Sequence, residues 1–408
     1  MTSGRWTLGS YGRGAVSNEQ LLGPTRREEL LRAAAEQFRS RGYHGASVDE
    51  IGASLGLSGP AMYHHVQSKE HLAAELMSGL LDKLLQVTPG QDAEHLATAT
   101  LVAMRHRAQL TLLVRDLEKI ENRDQILRQL SLLSDRWLGK TLASVASDKC
   151  ELLRAIASGG ALIGAARAHG TIAPQRLGMI GAELLTSIRD TALPPPVEGV
   201  TGRVDGSRGW SQSSRKEAIF DSAVDLIGAQ GFRSVTMRQI AQRVGISASA
   251  IYRHFPNKAA ILSLAITRAG ERALADLNQA IREASGPEDA LRRMVGGYVT
   301  ICVADRNLML VAATEGAYLP AEDKAVRRIR QQTLISEWTQ CLHAIRPDIP
   351  MNEAVARVEA VTAMTTECIR SPNTRARHDL VTELLRFSNA ILLPAVPRES
   401  REAMKPPR

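Results

Sequence analysis

The chain is poor in aromatic residues and has neither clustered cysteines nor a long apolar run. Phe, Trp and Tyr make up 4% of its 408 residues, so a core must come mainly from Ala, Leu, Val and Ile, which suits helix packed on helix. The four cysteines (Cys150, Cys302, Cys341 and Cys368) are scattered, with no C-x-x-C pair and no histidine cluster. That spacing argues against a structural zinc and a disulfide framework, and for a reducing compartment. No stretch reaches membrane-span length, and residues 1–24 lack the apolar core of a signal peptide and read as a flexible arm. A cytoplasmic protein is expected. The P-loop, the G-x-S-x-G elbow, the H-E-x-x-H pair and the dinucleotide fingerprint are all missing from the sequence. No enzyme, catalytic residue, metal or cofactor is therefore expected.

What is present points to a polyanion and to more than one domain. Apolar residues account for 44% of the chain and the net charge is +8. Basic composition raises the expectation of a nucleic-acid partner without establishing it. The length fits two to four units of ordinary size.

The chain repeats itself. Gly42-Tyr43 matches Gly231-Phe232, and the same offset of 189 residues carries Ile51 onto Ile240, Gly56 onto Gly245 and Ser58 onto Ser247. Tyr63, His65 and Lys69 fall on Tyr252, His254 and Lys258 without a gap. A duplicated unit is the simplest source of such a register.

Each copy carries helix start and stop signals. Thr25-x-x-Glu28 and Ser214-x-x-Glu217 read as capping boxes, followed by apolar stripes through Leu30, Ala34 and Phe38, and through Ile219, Ala223 and Ile227. Gly42 and Gly231 then suit the left-handed turn after a helix. Ser47-x-x-Glu50 and Thr236-x-x-Gln239 read as second capping boxes, and those short helices should end near Gly56 and Gly245. A third helix is expected to start at the N-caps Ser58 and Ser247. Two short helices around a glycine-bearing turn make a helix-turn-helix, present here twice.

At these residues the sequence resembles the TetR family of bacterial repressors. The second copy carries the family's signature through Thr236-Met237-Arg238-Gln239-Ile240-Ala241, Gly245-Ile246-Ser247 and Ile251-Tyr252-x-His254-Phe255-x-x-Lys258. The first copy matches at Ser47, Ile51, Gly56-Leu57-Ser58, Tyr63, His65 and Lys69, but has Val66 where the family has Phe. The resemblance implies an all-α chain in which each three-helix DNA-binding domain precedes a helical domain for ligand binding and dimerisation. On that reading the first pair spans 25–72 and 73–193, and the second spans 214–261 and 262–396. A Pro/Gly/Ser-rich linker covers 194–213 and a tail covers 397–408. The tandem layout is similar to the double repressors of actinobacterial mammalian-cell-entry (lipid import) operons.

The reading residues follow from the motif. In each copy the start of the third helix should face the major groove. It presents Gly59, Pro60 and His64 in the first, and Ala248, Ser249 and Arg253 in the second. By resemblance, Tyr63, Tyr252, Lys69 and Lys258 contact phosphates. A first-turn lysine opposes the helix dipole by roughly 0.3–1 kcal/mol, which a phosphate would offset. Thr236 and Arg238 open a helix whose N-terminus suits a phosphate; Ser47 and Asp49 hold those places in the first copy.

Residues 25–72 carry six basic and six acidic side chains, whereas 214–261 carry seven and three. The second unit should therefore anchor the chain on DNA while the first adds specificity. Unequal reading helices predict a single-chain pseudo-dimer on a non-palindromic operator. Gly159-Gly160 and Gly164 mark a close helix approach, at a seam between the halves or inside one of them. For a small-molecule effector, Met104, Arg105, Met294, Tyr298 and Met309 are candidate pocket residues, methionine being adaptable. The resemblance implies a lipid, sterol or acyl-CoA effector that releases double-stranded DNA. Activation, or ligand-independent architectural DNA binding, is the alternative, and further homodimerisation stays open.

Overall fold

Among the described residues, Ser, Thr and Asn caps, glycine stops and alanine-rich apolar stripes produce two successive sets of eight α-helices. The computed structural model of the chain describes residues 25–58, 62, 66–87, 93–121, 123–138, 148–194, 214–374 and 377–393, and no β-strand occurs among them. The first set is α1 (Arg26–Gly45), α2 (Val48–Ser54), α3 (Lys69–Val87), α4 (Ala93–Arg105), α5 (Arg107–Asp116), α6 (Asp124–Leu138), α7 (Lys149–Ala165) and α8 (Pro174–Asp190). The second is α9 (Arg215–Gln230), α10 (Met237–Val244), α11 (Lys258–Glu283), α12 (Pro287–Ala304), α13 (Arg306–Thr314), α14 (Ala321–Ile345), α15 (Met351–Arg370) and α16 (Leu380–Leu392). Among the described residues no single helix is long and apolar enough to cross a membrane. The arm 1–24, most of the linker and the tail fall outside the described residues.

The order of packing repeats as well. α1 lies on α5 and α9 on α13, so in each half the helix preceding the helix-turn-helix rests directly on the regulatory layer. The proposed domain boundaries at 72/73 and 261/262 fall inside α3 and α11, single helices belonging to both layers. Leu30, Phe38, Ile51, Met62 and Leu72 close the first small core; Ile219, Ala223, Ile240, Ile251 and Phe255 close the second. Val66 is buried to 1% exposure and Phe255 to 3%, so the departure from the family residue retains an apolar plug.

α7, α8, α15 and α16 pack as a bundle across the two halves, with α7 against α15 as the most extensive helix pair. The approach is close because α7 offers small residues. A Cβ on Gly160 would stand 2.8 Å from Met364 Cα, and one on Gly164 would be nearer still to the Glu359 carbonyl. Gly159, by contrast, faces Val114 of its own half. The glycine run thus serves both expected purposes, one residue inside a half and two at the seam. Ion pairs flank it: Arg176 Nη2 to Glu353 at 2.7 Å, Arg115 Nε to Glu367 at 2.9 Å, and Arg357 with Glu183 and Arg167 with Glu359. Arg377 Nη1 donates to Lys149 O and Arg386 Nη1 to Ala192 O, each at 2.7 Å.

Candidate nucleic-acid interface

The second helix-turn-helix is built as its sequence signals suggest. Thr236 Oγ1 accepts from Gln239 N at 3.2 Å, and Gln239 Oε1 accepts from Thr236 N at 2.7 Å, closing the capping box of α10. Gly245 ends the helix at φ +71°, a left-handed turn that a side chain would strain. The chain then presents Ser247, Ala248 and Ser249, all exposed. Arg238, Arg243 and Arg253 are exposed too, and none makes an ion pair or hydrogen bond among the described residues. Tyr252, 55% exposed, stands beside Arg253. Three free guanidiniums, two serine hydroxyls and a phenol thus share one module, a set suited to phosphate oxygens and base edges.

The reading element itself differs from expectation. It is not an α-helix starting at Ser247 but a turn followed by a 3-10 segment, Ile251–Arg253. The backbone bonds run to the third residue: Ala250 N to Ser247 O at 3.0 Å and His254 N to Ile251 O at 3.0 Å. Ser247 Oγ also accepts from Ala250 N and lies 3.1 Å from Ser249 Oγ. Serines that hydrogen-bond locally compete with α-helical bonding, which accounts for the tighter winding. His254 is half-buried behind this segment.

The first unit departs further. Ser47 occupies the N-cap position of α2 but makes no capping bond, and Glu50 does not return to it. Two guanidiniums take the carboxylate instead: Arg41, and Arg233 of the second unit at 3.1 Å. Arg233 Nη1 also donates to Gly45 O at 3.3 Å, so the turn after α9 is tied to the end of α1 and to α2. Ser58 is exposed and its carbonyl accepts from Met62 N at 3.0 Å. Gly59, Pro60, Tyr63 and His64 lie outside the described residues.

Both lysines turn inward. Lys258 Nζ donates to Phe232 O and Val235 O and sits 4.3 Å from the Phe232 ring centre. Lys69 Nζ reaches Ala46 O at 3.4 Å and the Tyr43 ring at 4.7 Å. Burial pushes both ammoniums below the ordinary lysine range. Loop carbonyls and a ring face offset the cost assigned above to a phosphate, and each lysine pins the turn before the second helix of its motif. Ser68 Oγ and Asn257 Oδ1 cap the helices that carry them.

Two cavities lie behind these modules. The larger, about 650 Å³, runs from the first regulatory layer (Leu81, Leu110, Leu133) to the seam, where Arg115, Glu367 and Arg370 line it. The smaller, about 180 Å³, lies between the second layer, with Tyr298 and Met309 on its wall, and Arg115, Ile163 and Arg167 of the first half. Tyr298 meets Trp338 edge-to-face at 5.4 Å, and that aromatic pair helps fill the space. Met104 and Met294 are buried core residues lining neither cavity, and Arg105 is exposed. Sequence reasoning missed Arg115, Arg233 and Arg370. The signal available for two of them was an arginine at the end of an apolar helix.

Comparison with known proteins places this geometry. The model of the DNA-binding domain of bacterial regulatory proteins of the tetR family matches twice, at residues 30–76 and 219–265. The chain is 34% identical over 100 residues to the HTH-type regulator YdgC of Bacillus subtilis (strain 168), covering 23% of this chain and 51% of that one. It is 30% identical over 125 residues to the nucleoid occlusion factor SlmA of Vibrio vulnificus (strain YJ016), covering 30% and 63%. The repressor KstR of Mycolicibacterium smegmatis matches at 29% over 119 residues, 29% of this chain and 57% of the relative. These alignments span roughly half to three fifths of the relatives' own length. A solved tetR-family protein from Rhodococcus RHA1 aligns at 21% identity over 45% of this chain and 97% of that one, with a TM-score of 0.40. With the family model matched twice and the same order of helices following each copy, the chain carries two tandem copies of the module shared by bacterial regulatory proteins of the tetR family.

Proposed function

We propose that the chain is a sequence-specific DNA-binding transcriptional repressor acting as a single-chain pseudo-dimer, released from a non-palindromic operator by a small hydrophobic effector. The observation that carries the reading is the bundle of α7, α8, α15 and α16. In it helices of the second half pack directly on helices of the first, as a second subunit would in a two-chain regulator. Small residues at the α7–α15 contact and the flanking Arg–Glu pairs support one fixed pairing of halves. A true two-fold axis makes two identical heads read an inverted repeat; here the heads differ in sequence and in charge, which removes that requirement. The exposed, unpaired Arg238, Arg243 and Arg253 make the second head the electrostatic anchor.

The test is footprinting on the DNA upstream of the chain's own gene, with light scattering to count chains per complex. One chain protecting an asymmetric site is the expected result. Two chains on a perfect inverted repeat would overturn the pseudo-dimer.

A further inference from the structure

We propose that the seam cavity is the effector site and takes one amphipathic anion per chain, its head held by Arg370 and Arg115 and its apolar body lying along the leucines of the first regulatory layer. The inference rests on the effector-release reading above and adds to it a place, a stoichiometry and a chemistry.

Charge at the seam is out of balance. Arg115 Nε contacts both Glu367 oxygens, at 2.9 and 3.0 Å, and Arg370 Nε reaches Glu367 Oε2 at 3.1 Å. Two guanidiniums therefore share one carboxylate whose side chain is 2% exposed. The next carboxylates are engaged elsewhere: Asp116 holds Lys119, and Glu315 accepts from Phe232 N. Arg370 Nη2 is buried and has no hydrogen-bond partner among the described residues. Burial and the neighbouring Arg115 charge together push Arg370 below the ordinary arginine range. A guanidinium in this position gains from an added anion, because charge-assisted bonds strengthen away from bulk water.

The rest of the cavity supplies the apolar requirement. Leu81, Leu84, Leu110, Leu113, Leu130 and Leu133 line its far end, and about 650 Å³ is the size range of sites that enclose small ligands. The smaller cavity, about 180 Å³, shares Arg115 and Glu367 with this one and has less than a third of its volume. Hence one occupant per chain.

The location also gives the occupant leverage. The cavity wall includes Arg39–Tyr43 at the end of α1 and Ile227–Ser234 at the end of α9. These are the turns that lead into α2 and α10, so filling the cavity bears on both heads together.

The experiment is calorimetric titration of the full chain with decanoate, decyl phosphate and decanol, repeated on Arg370→Gln and Leu130→Trp. Either anion should bind at one per chain and at least tenfold more tightly than the alcohol. The preferred anion identifies the head group as carboxylate or phosphate. Arg370→Gln should abolish the preference while leaving the weak alcohol affinity, and Leu130→Trp should weaken all three ligands. Circular dichroism of each variant separates loss of binding from loss of fold. Equal affinity for acid and alcohol, two ligands per chain, or an unchanged preference in folded Arg370→Gln would overturn the site. Operator release is scored separately. Arginine-dependent binding without release would leave the site standing and sink the effector reading, whereas release by a ligand indifferent to Arg370 would do the reverse.

Discussion

In the second helix-turn-helix, Thr236 and Gln239 satisfy each other's backbone amides and three arginines stand free on the surface. In the first, Ser47 leaves α2 without a side-chain cap, and Glu50 is drawn to Arg41 and Arg233. The backbone plan survives in both: Gly56 and Gly245 turn at φ +70° and +71°, and a lysine in each pins the preceding loop to its ring. What has diverged is side-chain chemistry at the surface. Identical subunits must change both heads with every mutation, whereas fused copies can keep one as an anchor and let the other specialise. Core and turn residues are held by packing in each copy separately; surface charge is not.

The sharpest way to break this comparison is to reverse one charge on each head. Arg253→Glu should weaken operator binding by about 1–3 kcal/mol, roughly tenfold to more than a hundredfold, and lower the salt slope by about one unit. His64→Glu, in a unit whose basic and acidic side chains already balance, should cost several times less. Fluorescence anisotropy across a salt series measures both, and equal losses would show that the two heads share the phosphate backbone evenly.

A smaller effect separates the caps. Thr236→Ala removes a formed capping bond and should destabilise the second module by about 1 kcal/mol. Ser47→Ala removes a hydroxyl that caps nothing and should stay within about 0.5 kcal/mol, as for an ordinary surface change. Denaturant melts of the two variants give the answer. A Ser47→Ala loss matching that of Thr236→Ala would mean that α2 is capped in solution and that the heads are more alike than their geometry indicates.

The duplication, the glycine turns and the caps at Thr25 and Thr236 were legible because each is a local rule with a fixed spacing. The uncapped Ser47 was not, since Ser-x-x-Glu at 47–50 is locally perfect and tertiary contacts, to Arg41 of α1 and to Arg233 183 residues away, draw the glutamate off. Lys69 and Lys258 were legible as positions but not as partners, because backbone carbonyls of a turn leave no trace in a side-chain pattern. The cavity was the hardest feature to read. Met104 and Leu113 lie on similar apolar stripes, yet the first packs toward Gly181 and the second borders empty space. Helical periodicity reports which face is inward and says nothing about whether that face meets another side chain. The arginines at the ends of the apolar α5 and α15 were the only hint, and their meaning required knowing that two halves of the chain bring them to one glutamate.

The smallest expected effect concerns the ion pair that joins the two heads directly. Arg233 and Glu50 keep 38% and 42% of their side-chain surface exposed, so their attraction is screened and should contribute no more than about 1 kcal/mol. Its interest is its asymmetry: the register that produced the duplication places His44 opposite Arg233 and Gln239 opposite Glu50, so no mirror-image pair exists. A double-mutant cycle of Arg233→Ala and Glu50→Ala, followed by thermal unfolding, should return a coupling of about 0.2–1 kcal/mol that falls with added salt. A coupling of zero would mean that the heads are held only by the helices behind them, and their spacing on DNA would then be free to vary. A measurable one would mean that the first head gave up its capping glutamate to a contact only a fused chain can make in one direction.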